Sequence, residues 1–414
     1  MQENKNLRLS ILFCNIITHY DTTIYALLIP TIAPLFFDNQ TPMLAIIKGY
    51  AGLLLGIISR PLGILYFAKL ENINGYVHAF AKSALGITLT TCAIVILPTQ
   101  DKFSIIAPIA LLSIRSLQSF FSAGENNLAK IYIMSNKDCA NYEHYAAQYE
   151  ISCLTGITLA FISAYFCSKQ PNFWRFAFLF PCLGIILSTI IRFQFSKALQ
   201  DSKPSQVAIN STKKLLTIIK SNKKVLLQIS VLHGFNYFTY SLVFIFTNVF
   251  IPTVDPHITY KQMLSLNIPF LGLDIFVLLA LYYSKILNTR FRIVVFLPPL
   301  LAILIFVTFC QTGTRLYLCA NVLRGITVII GVICSIAFAG VIFSASKKVS
   351  KDSYILYGIL YCIGSDLLGR SLPAIGLFLT HYLQSLWPAV LFCICICTYT
   401  SLCYSALQKF IQKD

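Results

Sequence analysis

Twelve stretches of this sequence are apolar for long enough to cross a bilayer as a helix, which takes about 20 residues. They fall roughly at 9–37, 43–68, 79–97, 103–132, 146–167 and 174–194. A polar stretch of 195–224 follows, and six more lie at 225–251, 262–284, 291–310, 314–344, 354–380 and 385–408. The expected fold is therefore all-α: a polytopic membrane protein with twelve transmembrane helices in two six-helix halves. Residues 1–194 form the first half, 195–224 the cytoplasmic central loop and 225–414 the second half. The composition agrees, since 57% of residues are hydrophobic and 11% charged, far from the balance of a soluble globular chain.

Loop charge orients the spans. The net charge is +17, which in a soluble protein would raise the question of a nucleic-acid partner. Here, with both termini inside, the inner segments hold 22 Lys and Arg and the outer loops 4. The positive-inside rule accounts for that excess, so no polyanionic partner is expected and both termini are expected to be cytoplasmic. Lys5 and Arg8 precede an apolar run too long for a signal-peptide core, which reads as a retained first span. In the central loop, Lys213 to Lys224 alternates basic and apolar residues at helical spacing, as in a helix lying flat on the inner leaflet. Nearly all of the 14 cysteines sit inside apolar windows. They read as small buried apolar residues, and neither a metal nor another cofactor is expected.

Against this background the stretch RSLQSFFSAGE, Arg115 to Glu125, stands out inside the fourth span. On a 3.6-residue period Arg115, Gln118, Ser122 and Glu125 share one face. Ionisable groups at that depth are costly, and they face a watery path or the protein interior. Helical rise places Asp21, Arg115, Asp274, Arg324 and Asp366 near the midplane, and Arg60 and Glu125 nearer the cytoplasm. Arg115 and Arg324 each lie about ten residues from the outer end of their spans, so the halves look like a diverged parallel repeat.

Several of these residues resemble motifs of the major facilitator superfamily, and within it the metabolite:proton symporters typified by the proline/betaine transporter. Asn15, His19, Tyr20, Asp21 and Tyr25 are similar to that family's first-span signature, with Thr18 where the family has glutamate. Arg60-Pro61-Leu62-Gly63 resembles its second-span motif. Gln118-Ser119-Phe120 and Ala123-Gly124-Glu125 resemble its fourth, and Trp174-Arg175 the opening of its sixth. The resemblance implies a secondary transporter of the bacterial inner membrane, acting as a monomer. It would carry a small zwitterionic or carboxylate metabolite, proline- or betaine-like or a small organic acid, together with a proton. In the latch loops the family's carboxylates and arginine are replaced, by Asn72 and Tyr76 after span two and by Lys285 after span eight.

Within that reading, Asp21, Tyr25, Arg115, Gln118, Asp274 and Arg324 are the candidates for proton coupling and the solute path. Arg60 with Glu125, and Asp366 with Arg370, are candidates for gating or structural charge pairs. A plainer account makes Asp21 and Arg115 a permanent ion pair joining two helices. The lost latch carboxylates motivate a second reading, an uncoupled facilitator, exchanger or exporter of the same fold. A polytopic membrane enzyme is the third, but the short loops carry no nucleophile–base or metal-ligand spacing, so the chain is not expected to be an enzyme. A primary pump would need a phosphate-binding loop that the sequence lacks.

Overall fold

A computed structural model of the chain describes residues 5–37, 41–100, 105–135, 142–170, 173–196, 212–284, 292–349 and 353–412. Lys285 and residues 197–211 of the central loop lie outside the described residues. Almost every described residue is helical, because in hydrocarbon a helix satisfies each backbone group within its own segment. Ten described helices are long and apolar enough to cross a membrane, and the chain is an integral membrane protein. A shorter apolar helix at 294–309 and the helix Trp174–Ser196 occupy the two remaining windows.

The chain divides into two compact units. Unit 1 comprises residues 1–40 and 55–210, and unit 2 residues 41–54 and 211–414. In unit 1, α1 (Lys5–Phe36) packs on α6 (Tyr142–Lys169) and α7 (Trp174–Ser196). Two further helices, α3 (Gly56–Asn74) and α4 (Tyr76–Ile96), both pack on α5 (Ile106–Ser135). The intervening α2 (Pro42–Ala51) precedes a 3₁₀ turn at Gly52–Leu55, and it groups with unit 2 because it packs on α16 (Ser371–Leu383). That exchange is absent from a division made only at the polar stretch.

The motif residues in unit 1 have packing reasons. A Cβ on Gly63 would overlap the carbonyl of Phe120, so only glycine allows α3 to approach the α5 backbone this closely. Arg175 donates to the carbonyl oxygens of Val95 and Leu97, both at 3.0 Å, and so ties down the C-terminal end of α4. Its guanidinium lies 4.4 Å from the Trp174 ring, which is itself buried edge-on against Phe36. Cys92 of α4 and Cys182 of α7 form a disulfide, with Cα atoms 6.1 Å apart. This corrects the reading of these two cysteines as unpaired apolar residues. Helical spacing shows which cysteines share a face but not which helices meet.

In unit 2, α8 (Thr212–Ser221) leads into α9 (Lys223–Ser241), which ends in a π turn at Leu242–Phe246 before α10 (Thr247–Val254). A short α11 (Tyr260–Ser265) starts on a capping box, in which Thr259 and Gln262 bond reciprocally. Then follow α12 (Asn267–Ser284), α13 (Leu297–Phe309), α14 (Gly313–Val349) and α15 (Ser353–Gly364). A second π turn at Ser365–Arg370 leads into α16, and α17 (Trp387–Gln412) ends the helices. The bundle centres on α9, which contacts α14, α15, the second π turn and α17. A Cβ on Gly364 would overlap the carbonyl of Ser230, so this crossing too is set by backbone contact.

Candidate functional site

The first-span signature divides between two faces of α1. Asn15 donates to Ser152 Oγ at 2.7 Å, and His19 Nε2 lies 3.2 Å from Cys153 Sγ. Both residues thus look toward α6. The Tyr20 hydroxyl donates to the carbonyl of Ala177 on α7 at 3.0 Å. These three residues hold helices together. Thr18, where the family has glutamate, turns its hydroxyl back onto the carbonyl of Cys14, one turn earlier in the same helix.

Asp21 looks the other way, toward α4 and α5, and is buried. Its carboxylate accepts hydrogen bonds from Gln118 Nε2 and, at 3.4 Å, from Thr91 Oγ1. The same Gln118 amide also donates to Thr91 Oγ1 at 2.8 Å, and its carbonyl accepts from Arg115. Gln118 therefore stands between cation and carboxylate. The Arg115 guanidinium sits 3.8 Å from the centroid of the Tyr25 ring, one turn from Asp21, in cation–π geometry. So Asp21, Tyr25, Arg115 and Gln118 come together within unit 1. The plainer expectation of a direct Asp21–Arg115 pair is replaced by a bridge through an amide. Thr91 belongs to the same network, and a threonine in an apolar span carries no signal that would single it out.

The other candidates lie apart from this network. Glu125 is buried and accepts from Ser83 Oγ at 2.6 Å, and Arg60 is buried on the neighbouring α3. Asp366 and Arg370 lie 3.4 Å apart within the second π turn, and Arg370 is 5.3 Å from the Tyr237 ring. Asp274 is partly exposed on α12, two turns beyond Asn267. Asn72 and Tyr76 flank the end of α3, where Gly75 takes φ +82° and turns the chain into α4.

Arg324 has a network of its own in unit 2. It is 1% exposed. It donates from Nε to the carbonyl of Val243 at 3.0 Å, and from Nη2 to Asn248 Oδ1 at 3.2 Å and to Asn267 Oδ1. Nη1 reaches Asn321 Oδ1 at 3.4 Å. The Phe270 ring lies 4.7 Å from its Cζ. The π turn supplies the backbone part of this cage. Thr247 N–H bonds five residues back to Leu242. The neighbouring carbonyls of Val243 and Phe244 are taken by the side chains of Thr247, Asn248, Asn267 and Arg324.

Two compact all-helical units with buried charges inside each define the fold, and it is the major facilitator fold. A D-xylose-proton symporter matches over 99% of this chain and 97% of its own, with TM-score 0.72 at 11% identity. A bacterial homologue of the human lysosomal transporter Spinster matches over 97% and 96%, with TM-score 0.65 at 14% identity. Sequence relatives carry the names of transporters. The proline/betaine transporter of Escherichia coli is 27% identical over 119 residues, covering 29% of this chain and 24% of its own. A Staphylococcus haemolyticus protein provisionally named as a proline/betaine transporter is 27% identical over 179 residues, covering 42% and 38%. The glycine betaine/proline/ectoine/pipecolic acid transporter of Dickeya dadantii is 26% identical over 119 residues, covering 29% and 24%. The chain thus matches between a quarter and two fifths of the length of these relatives. They are named as transporters, not enzymes. No family profile matches the chain.

Proposed function

We propose that the chain is a secondary transporter of the bacterial inner membrane that moves a small zwitterionic or carboxylate metabolite by proton symport. The observation that carries this reading is the buried Arg115–Gln118–Asp21 bridge with Thr91 and Tyr25. The buried Asp21 carboxylate is reached by two neutral donors, and the Arg115 charge is held one amide away, so any change at Gln118 alters its surroundings directly. Gln118 is the adjustable part. When an arriving solute draws its amide away, Asp21 loses a donor and binds a proton more readily. When the solute leaves, the amide returns and the proton is released. Loading and protonation then occur together, which is what symport by alternating access requires. The resemblance to proline and betaine transporters supports a zwitterionic or monocarboxylate solute.

A test is uptake of labelled proline, betaine and 2-oxoglutarate into proteoliposomes under an inward proton gradient. Uphill uptake that an ionophore abolishes is expected for at least one of them. Asp21→Asn should abolish accumulation yet retain solute exchange, and unchanged accumulation in that variant would sink the coupling role. The replaced latch residues Asn72 and Tyr76 favour a second reading, an uncoupled facilitator or exchanger. It predicts equilibration that the ionophore leaves unaltered.

A further inference from the structure

The two midplane arginines have opposite electrostatic settings. Arg115 is linked through one amide to the carboxylate of Asp21. Arg324 is linked to none. A guanidinium has five N–H donors, and those of Arg324 meet one backbone carbonyl and three asparagine carbonyls. Among the described residues no carboxylate lies within ion-pair distance of it. Dipoles can orient around a buried cation, but they do not cancel its charge, and an uncompensated charge in a dry interior is unfavourable. One N–H remains on Nη1, beside Asn321, whose side chain is partly accessible. The residue after Arg324, Gly325, would accept a Cβ in ordinary van der Waals contact with Phe270 and Leu273, at 3.5 and 4.0 Å.

We infer that Arg324, with Asn248 and Asn267 holding its guanidinium plane, is an anion subsite in unit 2 that takes the carboxylate of the solute. The asparagines fix the orientation of the fork and leave its charge undiminished, which suits binding of an anion that comes and goes. A permanent aspartate partner would occupy the fork instead. An arginine fork also matches a carboxylate in geometry, which a lysine would not. That the occupant is a transported solute rests on the proposed function; that the site binds a monoanion does not.

The test is thermal unfolding of the purified full-length protein, without any proton gradient. Sodium acetate or sodium chloride is titrated while sodium methanesulfonate, which carries no carboxylate, holds the ionic strength constant. Wild type should gain several degrees in Tm with acetate, and the gain should saturate. Arg324→Gln should lose that response. Asn267→Asp places a carboxylate of nearly unchanged shape against the guanidinium, so its Tm without acetate should rise and its acetate response should vanish. If Arg324→Gln does not fold, Asn267→Asp carries the comparison alone. No saturable response in wild type, or an undiminished one in Asn267→Asp, would overturn the subsite. A response to chloride with none to acetate would overturn the carboxylate assignment. Because no gradient is present, these outcomes are independent of whether Asp21 couples transport to protons.

Discussion

Gln118 is the residue on which the unit 1 network depends. It accepts from Arg115 and donates to Asp21 and Thr91, so removing its amide leaves polar groups on three helices without their partner. Gln118→Leu should lower stability by about 1–3 kcal/mol, the usual cost of buried donors and acceptors left unpaired. Thermal unfolding of the purified variant measures that, and accumulation should fall together with it. Thr91→Val should cost less, because Asp21 keeps its bond to Gln118. Asp21, Arg115 and Gln118 were legible in the sequence because charged and amide groups are conspicuous among apolar neighbours. Thr91, Asn248 and Asn267 were not, since neutral polar residues are common in spans and often bond only to their own helix. Thr88, for example, bonds only to the carbonyl of Ala84.

At the scale of elements, hydropathy located the spans within a few residues, because burial in hydrocarbon demands the composition it reads. It says nothing of how helices approach one another. The close crossings at Gly63 against Phe120 and at Gly364 against Ser230 need backbone contact that only coordinates show. Gly63→Ala and Gly364→Ala should each cost about 1–3 kcal/mol through overpacking, since the obstructing atoms are main-chain carbonyls that cannot rotate aside. Gly272→Ala, where nothing lies within 4 Å of the new Cβ, should be neutral or slightly stabilising. Comparing the three midpoints in one detergent checks this directly. The disulfide between α4 and α7 was equally hidden, because sequence spacing did not reveal that those two helices pack together.

For the whole molecule, the excess of basic residues on one set of loops predicts both termini in the cytoplasm. A fluorescent protein fused after Asp414 should mature and fluoresce, whereas alkaline phosphatase inserted after Lys169 should be active in the periplasm. The reverse pattern would invert the orientation and with it the direction assigned to transport. The two π turns carry a separate implication for how this chain is related to others. Each wide turn holds one residue more than an α-helix needs, while the segments on either side run on as part of the same span. An alignment that crosses Leu242–Phe246 without a one-residue gap would carry every later position about 100° around its helix. Arg324, reached after that turn, would then be compared with residues that face elsewhere. Relatives of unit 2 are better sought by matching the faces on each side of the two turns than by unbroken runs of identical residues.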